Sequence, residues 1–221
     1  MKTRILIANT ILILALLTSC SEKEIQFSRE NLQLASNIEI TISEKPENTI
    51  KLHAKPLGGM AILKNVNFNN GTIDLELKGE NNPGKSFVGI AFNIQNDSTY
   101  ESIYFRPFNF GSKEKKGNAI QYISQPKNTW SYLRKNFKGQ YESEYINPPS
   151  GDDWFSISVK IDPERVSVYD KKTNTELLSV ERLEKQVSDK VGLWTGNNSK
   201  GEFRKVVLIK PQERHNGALL K

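Results

Sequence analysis

The stretch Ser102-Ile-Tyr-Phe-Arg-Pro-Phe-Asn-Phe110 holds the side chains whose types and order most suggest chemistry. Successive residues of a strand point to opposite faces, so Tyr104 and Arg106 share one face while Ile103 and Phe105 take the other. If Ile103 and Phe105 enter a core, Tyr104 and Arg106 face solvent or a groove. Arg106 precedes Pro107, which cannot donate to a sheet ladder. The strand should therefore end or reach an edge there and leave Arg106 at a rim. Gln121 lies beside them if the segment 119–123 pairs with this strand, with Asn109 and Trp130 nearby in sequence. Aromatic rings stack on sugar rings, and the planar polar groups of Arg, Asn and Gln read hydroxyls. Tyr104, Arg106, Asn109, Gln121 and Trp130 are thus the candidate ligand-binding residues, for a glycan or oligosaccharide. The competing reading is a structural polar cluster that locks the loop 107–118. A buried Arg106 would then need a carboxylate partner, because an unpaired buried charge is costly.

Other chemistries find less support. His53 and His215 lie far apart, the second in the C-terminal tail. A Ser-His-Asp triad would rest on His53 alone, and zinc draws first on Cys and His. His53 is read as a strand-surface residue. Cys20 is the one cysteine, so an internal disulfide is excluded, and neither a metal site nor a cofactor is expected. Asp74 and Glu76 point the same way from one strand, roughly 6.6 Å apart at about 3.3 Å per residue. Carboxylates about 5–9 Å apart serve glycoside hydrolysis. Thr72 and Lys78 hold the flanking same-face positions, and a solvated strand face is the preferred reading. An acid or base in the aromatic segment 124–153 would have to come from Glu142, Glu144, Asp152 or Asp153. Trp154 and Trp194 are read as sheet packing.

These residues need an all-β frame. Residues 37–42 and 49–53 alternate apolar and polar side chains, the period of a half-buried strand. Further strands are expected over 60–63, 72–78, 86–94, 102–106, 119–123, 154–161, 165–169, 175–178, 190–194 and 203–209. Asn70-Gly71 before the 72–78 strand marks a tight turn, and 86–94 is apolar enough for a sandwich centre. Only 180–187 offers a helical turn. Many short strands between turns argue for a sandwich or barrel. The net charge of +6 falls to about +4 without Lys2 and Arg4, and the charges are interspersed. Nucleic-acid binders cluster Lys and Arg on one face, so no nucleic-acid partner is expected.

Taken together, Asn70-Gly-Thr-Ile-Asp-Leu75, Phe87-Val-Gly-Ile-Ala-Phe92, Tyr104-Phe-Arg-Pro-Phe-Asn109, Gln121-Tyr122 and Val191-Gly-Leu-Trp194 resemble the concanavalin A-like lectin/glucanase superfamily. More narrowly, they resemble its laminin-G-like jelly-roll domains. The resemblance implies a concanavalin A-like jelly-roll β-sandwich of two antiparallel sheets, and a carbohydrate-binding or carbohydrate-processing role. The Glu-x-Asp-x-(x)-Glu run of the glucanases is absent. Alginate-lyase-type jelly rolls carry Gln-x-His, where this chain has Gln121 followed by Ile123. A glycoside hydrolase or polysaccharide lyase, including 3-keto-glycoside activity, is the alternative on the same fold. A structural or protein-binding protein is the third.

The N-terminus adds a location. Met1–Arg4 is basic, and Ile5–Leu17 is mostly apolar but shorter than the roughly 20 residues of a membrane span, as in a secretory signal peptide. Leu17-Thr-Ser-Cys20 resembles the lipobox of bacterial lipoproteins, which implies a diacylglycerol thioether on Cys20 and cleavage before it. Ser21-Glu-Lys-Glu24 partly resembles a surface-export signal. The expected organisation is a signal peptide over 1–19, a lipidated Cys20 with a tether to residue 35, a sandwich over 36–210, and a disordered tail over 211–221. The expected place is the outer membrane, lipid-anchored and surface-exposed. A palmitate analogue fed to cells should label the wild type and not Cys20→Ala; label on the variant would refute the anchor.

Overall fold

The computed structural model describes residues 21–35 and 37–211. Cys20, the signal segment and all of the tail beyond Pro211 lie outside them. The strands in chain order are β1 (Ser21–Glu24), β2 (Leu32–Leu34), β3 (Ile38–Ser43), β4 (Thr49–Ala54), β5 (Gly59–Leu63), β6 (Gly71–Lys78), β7 (Val88–Asn96) and β8 (Thr99–Phe105). After two 3₁₀ turns at Pro107–Asn109 and Lys116–Asn118 come β9 (Ile120–Gln125), a helix α1 (Trp130–Asn136) and β10 (Glu142–Ser143). The chain closes with β11 (Phe155–Ile161), β12 (Arg165–Asp170), β13 (Thr175–Glu181), β14 (Val191–Thr195) and β15 (Lys200–Lys210).

They form two antiparallel sheets. One runs β13-β12-β11-β6-β15-β4-β3 with β1 also on β15, and the other runs β10-β9-β8-β7-β14-β5-β2. The chain crosses back and forth between the layers, as from β2 to β3, β4 to β5 and β14 to β15. The sheets bury Ile50, Leu75, Val159 and Phe203 of the first against Ile90, Phe92, Ile103 and Leu193 of the second. The expected two-sheet jelly-roll sandwich is the observed architecture.

The two sheets differ in what their outer faces do. The eight-stranded sheet alternates buried and open positions along β3, β4 and β11, as a sheet with one wet face must. In the seven-stranded sheet every residue of β5 and β14 is buried, and so are the first seven of β7. Its outer side carries a second apolar cluster of Met60, Ile62, Tyr104, Leu133 and Trp194. A sheet covered on both faces must have something against its outer side, and loops and α1 provide it.

Several expectations change. Residues 21–35, expected as a tether, are part of the sandwich: β1 pairs with β15 in the register Ser21↔Lys210, and β2 pairs with β5. Ile25, Phe27 and Leu32 are buried, which the short polar strand sequences around them conceal. The Asn70-Gly71 turn joins β5 to β6 in opposite sheets, so it is no hairpin. Residues 182–188 form no helix because side chains take their backbone N–H groups. Tyr122 Oη accepts from Leu183 N at 3.1 Å, and Asn93 Oδ1 accepts from Val187 N and Ser188 N at 2.9 and 3.0 Å.

Those contacts belong to a buried polar network. Glu101 and Arg182, both 1 % exposed at the side chain, form an ion pair at 2.5 Å. Tyr122 Oη donates to Glu101 at 2.6 Å and Asn93 Nδ2 donates to it at 2.8 Å. Burial, reinforced by the Glu101 charge, raises the Tyr122 phenol well above its ordinary value. Removing one partner of such a pair strands a buried charge and costs roughly 3–5 kcal/mol. Arg182→Met should therefore lower the urea midpoint by that much stability at an unchanged slope. A loss within about 0.5 kcal/mol, the range of a neutral surface change, would mean that the pair does not bear on the fold.

Candidate functional site

One row of side chains across the seven-stranded sheet builds the floor of the site. The registers align Met60 with Trp194, Trp194 with Gly89, Gly89 with Tyr104, Tyr104 with Gln121, and Gln121 with Glu142. Residues in register share a face, so all six belong to the outer side. Ile103 and Phe105 enter the core between the sheets, which leaves Tyr104 and Arg106 for the outer face, as the alternation requires. Gly89 is the gap in the row. A Cβ there would lie 2.1 Å from Ile103 O and 2.6 Å from Tyr104 Cα. Because Gly89 has no side chain, the rings of Tyr104 and Trp194 meet across it, with centroids 5.0 Å apart.

Arg106 continues from the end of β8. Its N–H still donates to Ala119 O at 2.7 Å, and Pro107 then opens a 3₁₀ turn. The chain leaves the ladder where Pro107 forces it to, but Arg106 is not at a rim: it is 5 % exposed. Its guanidinium donates to Asn118 O at 2.7 Å, to Tyr104 Oη at 2.7 Å and to Gln121 Oε1 at 3.4 Å. Among the described residues the guanidinium bonds no carboxylate, the partner expected of a buried Arg106; neutral oxygens hold it. The guanidinium also sits 4.8 Å from the Tyr104 ring centroid and 5.9 Å from that of Phe87, within cation–π range. Burial lowers the Arg106 pKa, with Arg134 adding to the effect. It pushes the Tyr104 phenol up to about 12, against the opposing Arg106 charge.

The groove above this floor encloses about 870 Å³, and Tyr104, Arg106, Asn109 and Trp130 line it. Gln121 does not reach the wall. It is fully buried below, and its amide donates to Tyr122 O and Tyr141 O at 2.9 and 3.0 Å. Asn109 is buried too and shares the Asn118 carbonyl with Arg106, at 3.3 Å. Arg106 and Asn109 thus line the cavity and also fasten the loop 107–118 through the Asn118 carbonyl.

One wall is α1, which lies where only turns were expected. Thr129 caps it, its hydroxyl accepting from Tyr132 N. Seven residues are too few for a helix stable alone, and buried Leu133 ties this one to the outer cluster. Trp130 stays 47 % exposed, with the Arg134 guanidinium 5.1 Å from its ring centroid. Arg134 grips Glu142 with Nε at 2.9 Å and Nη2 at 2.6 Å. Phe87, Tyr100, Phe108, Arg134 and Trp194 also line the groove. Trp194, read from sequence as sheet packing, presents its ring there and donates Nε1–H to Tyr100 Oη at 3.1 Å. The pairing of two strands distant in sequence puts it there, and no local pattern encodes that.

The other candidates lie elsewhere. Asp74 and Glu76 occupy β6 of the eight-stranded sheet and are engaged: Asp74 accepts from Ser158 Oγ at 2.6 Å and pairs with Lys171, and Glu76 pairs with Arg204 and Lys205. Trp154 lies against Arg204 on that same sheet, 4.1 Å from guanidinium to ring centroid. His53 is an exposed residue of β4. Glu144 pairs with Lys116, and Asp152 accepts from Asn81 N. Glu114 is the one carboxylate lining the groove among the described residues. No three His, Cys, Asp or Glu side chains converge as metal ligands among the described residues.

No protein-family model matches the sequence, and no curated protein does. Solved structures do match in fold. A carbohydrate-binding module from Bacillus subtilis superposes at TM-score 0.55 with 9% identity, covering 80% of this chain and 95% of that one. The β-glucanase of Bacillus licheniformis gives 0.56 at 10% identity, covering 87% and 98%. The κ-carrageenase of Pseudoalteromonas carrageenovora, solved with a κ-carrageenan oligosaccharide, gives 0.56 at 10%, covering 90% and 98%. The chain has the concanavalin A-like jelly-roll fold that the sequence resemblance implied.

The role of Gly89 can be tested directly. Gly89→Ala must displace backbone of β8, and overpacking of this kind costs roughly 1–3 kcal/mol or more. Gly111→Ala, with open space around its Cβ, serves as the control. A lowered melting temperature confined to Gly89→Ala is expected; equal melting of both variants would remove Gly89 from the account.

Proposed function

We propose that this chain is a carbohydrate-binding lipoprotein of the cell envelope, and that the groove over the seven-stranded sheet holds the glycan. The observation that carries this reading is the set of aromatic faces around one cavity. Exposed Trp130 stands on one wall, and Tyr104 and Trp194 lie together on the floor. Polar side chains that can read hydroxyls, Arg106 and Asn109, sit among them. Largely apolar clefts with a few convergent polar groups are the usual form of small-ligand sites. The neighbours in fold include a protein named as a carbohydrate-binding module and enzymes named for glucan and carrageenan, which favours the same class of ligand.

Binding is favoured over hydrolysis by the carboxylates. Two-carboxylate hydrolysis needs an acid and a partner on either side of the bond. Glu114 lines the groove, while the nearby Glu142 is held by Arg134. Tyr104 as a base for elimination is opposed by burial, which pushes its phenol up to about 12, far from the neutral value that suits a general base. The anchor reading rests on Leu17-Thr-Ser-Cys20. Because β1 begins at Ser21, a lipid on Cys20 would hold the sandwich edge close to the bilayer rather than on a long tether.

A glycan array probed with the purified chain tests the ligand class. Trp130→Ala should weaken the strongest binder about tenfold, the scale of one lost stacking contact, and leave the melting temperature nearly unchanged because the ring is half-exposed. Absence of binding across the array, or binding indifferent to Trp130→Ala, would overturn the reading.

A further inference from the structure

The charges in the groove do not balance. Arg134 is neutralised by Glu142 at 2.6 Å. The exposed lip carries one charge of each sign, Lys115 and Glu114. Arg106 has no such counterpart: it is 5 % exposed, and its guanidinium is bonded only to the Asn118 carbonyl, the Tyr104 hydroxyl and the Gln121 amide oxygen among the described residues. A guanidinium keeps its charge in proteins, and burying a charge against neutral partners is unfavourable. Those oxygens satisfy N–H groups without supplying negative charge. They also use three of the five donors that a guanidinium carries.

Resting on the reading of this groove as a glycan site, we propose that the glycan it takes is acidic, with a carboxylate or sulfate ester seated against Arg106. An anion there supplies the missing charge and accepts from the donors left over. Charge-assisted bonds of this sort are shorter and roughly twice as strong as neutral ones. The rings beside Arg106 make a sugar-borne anion a better fit than a small free ion: Phe87 and Tyr104 flank the guanidinium, and Trp194 continues the aromatic floor. The arrangement also explains how an arginine is held ready before ligand arrives. Asn118 O, Tyr104 Oη and Gln121 Oε1 fix the plane of the fork, so little side-chain freedom remains to be lost on binding.

Calorimetric titration with matched pairs tests this. Oligogalacturonate is compared with its carboxyl-reduced form, and a sulfated galactan oligosaccharide with its desulfated form. At least one charged member should bind about tenfold or more tightly than its neutral twin, the range of a charge-assisted hydrogen bond. That advantage should shrink as salt rises from roughly 0.1 M to 1 M and screening shortens. Preference for the carboxylate pair alone assigns a uronic acid, and preference for the sulfate pair alone a sulfate ester. The ¹⁵N resonance of Arg106 Nε in the wild-type protein should shift with the charged twin and not with the neutral one. In Arg106→Gln the advantage should vanish, whereas Arg106→Lys should keep part of it. Equal binding of charged and neutral twins overturns the inference and leaves the glycan reading standing. So does binding confined to neutral glycans on the array. A charged-twin advantage that leaves Arg106 Nε unmoved also overturns it, and binding to no glycan at all overturns both.

Discussion

The structure depends on a sheet that is dry on both sides. The seven-stranded sheet gives its inner face to the core and its outer face to a second apolar cluster. Burial on both faces runs the length of β5 and β14 and most of β7, unlike the half-open strands of the other layer. The ladder register decides which side chains reach the outer face, since a one-residue slip exchanges the two faces. That register places Trp194, Gly89, Tyr104, Gln121 and Glu142 in one line across five strands. The ring contact, the anchoring of Arg106 and the position of Glu142 below α1 all follow from that line. The groove is the part of the outer face that α1 and the loop 107–118 border without covering.

Polar groups were placed by the same economy. In the eight-stranded sheet the outward carboxylates of β6 meet Lys171, Arg204 and Lys205 in partly exposed pairs, where solvent screening keeps each contribution small. At the far end of the seven-stranded sheet Glu101 and Arg182 pair in full burial and draw Tyr122 and Asn93 into one network. Between these extremes lies the groove, with the Arg106 and Arg134 guanidiniums against the single buried carboxylate of Glu142. A fully structural cluster would have been expected to close its own charges. This one closes its hydrogen bonds around the loop and leaves one charge over.

How far the sequence shows this depends on range. Ile103 and Phe105 against Tyr104 and Arg106 is a two-residue alternation, legible in four consecutive letters, and Pro107 marks where the ladder stops. The pairing of Tyr104 with Gln121 was legible as well, because their strands are neighbours in the chain. The contact of Trp194 with Tyr104 was not, since it needs β14 beside β7 and a glycine between the rings. Nor was α1, whose short polar sequence is helical because Thr129 caps it and Leu133 finds a buried seat. Strand β1 was hidden for a similar reason: Ser-Glu-Lys-Glu has no strand pattern of its own and pairs only because β15 offers an edge. Arg106 illustrates the remaining limit: Pro107 suggested a place at the rim, yet the side chain is buried and neutral oxygens hold it.

On the proposed reading, ligand enters over the row containing Tyr104 and Trp194, beside α1, and not on the opposite sheet. The chain has three tryptophans, and they report separately: Trp130 on the wall, Trp194 on the floor, and Trp154 against Arg204 on the other layer. Their indole N–H resonances can be followed by ¹⁵N correlation spectroscopy while the chain is titrated with the tightest-binding glycan. Saturable shifts of the Trp130 and Trp194 signals are expected, with Trp154 stationary. Shifts of Trp154 with Trp130 and Trp194 unmoved would contradict that reading.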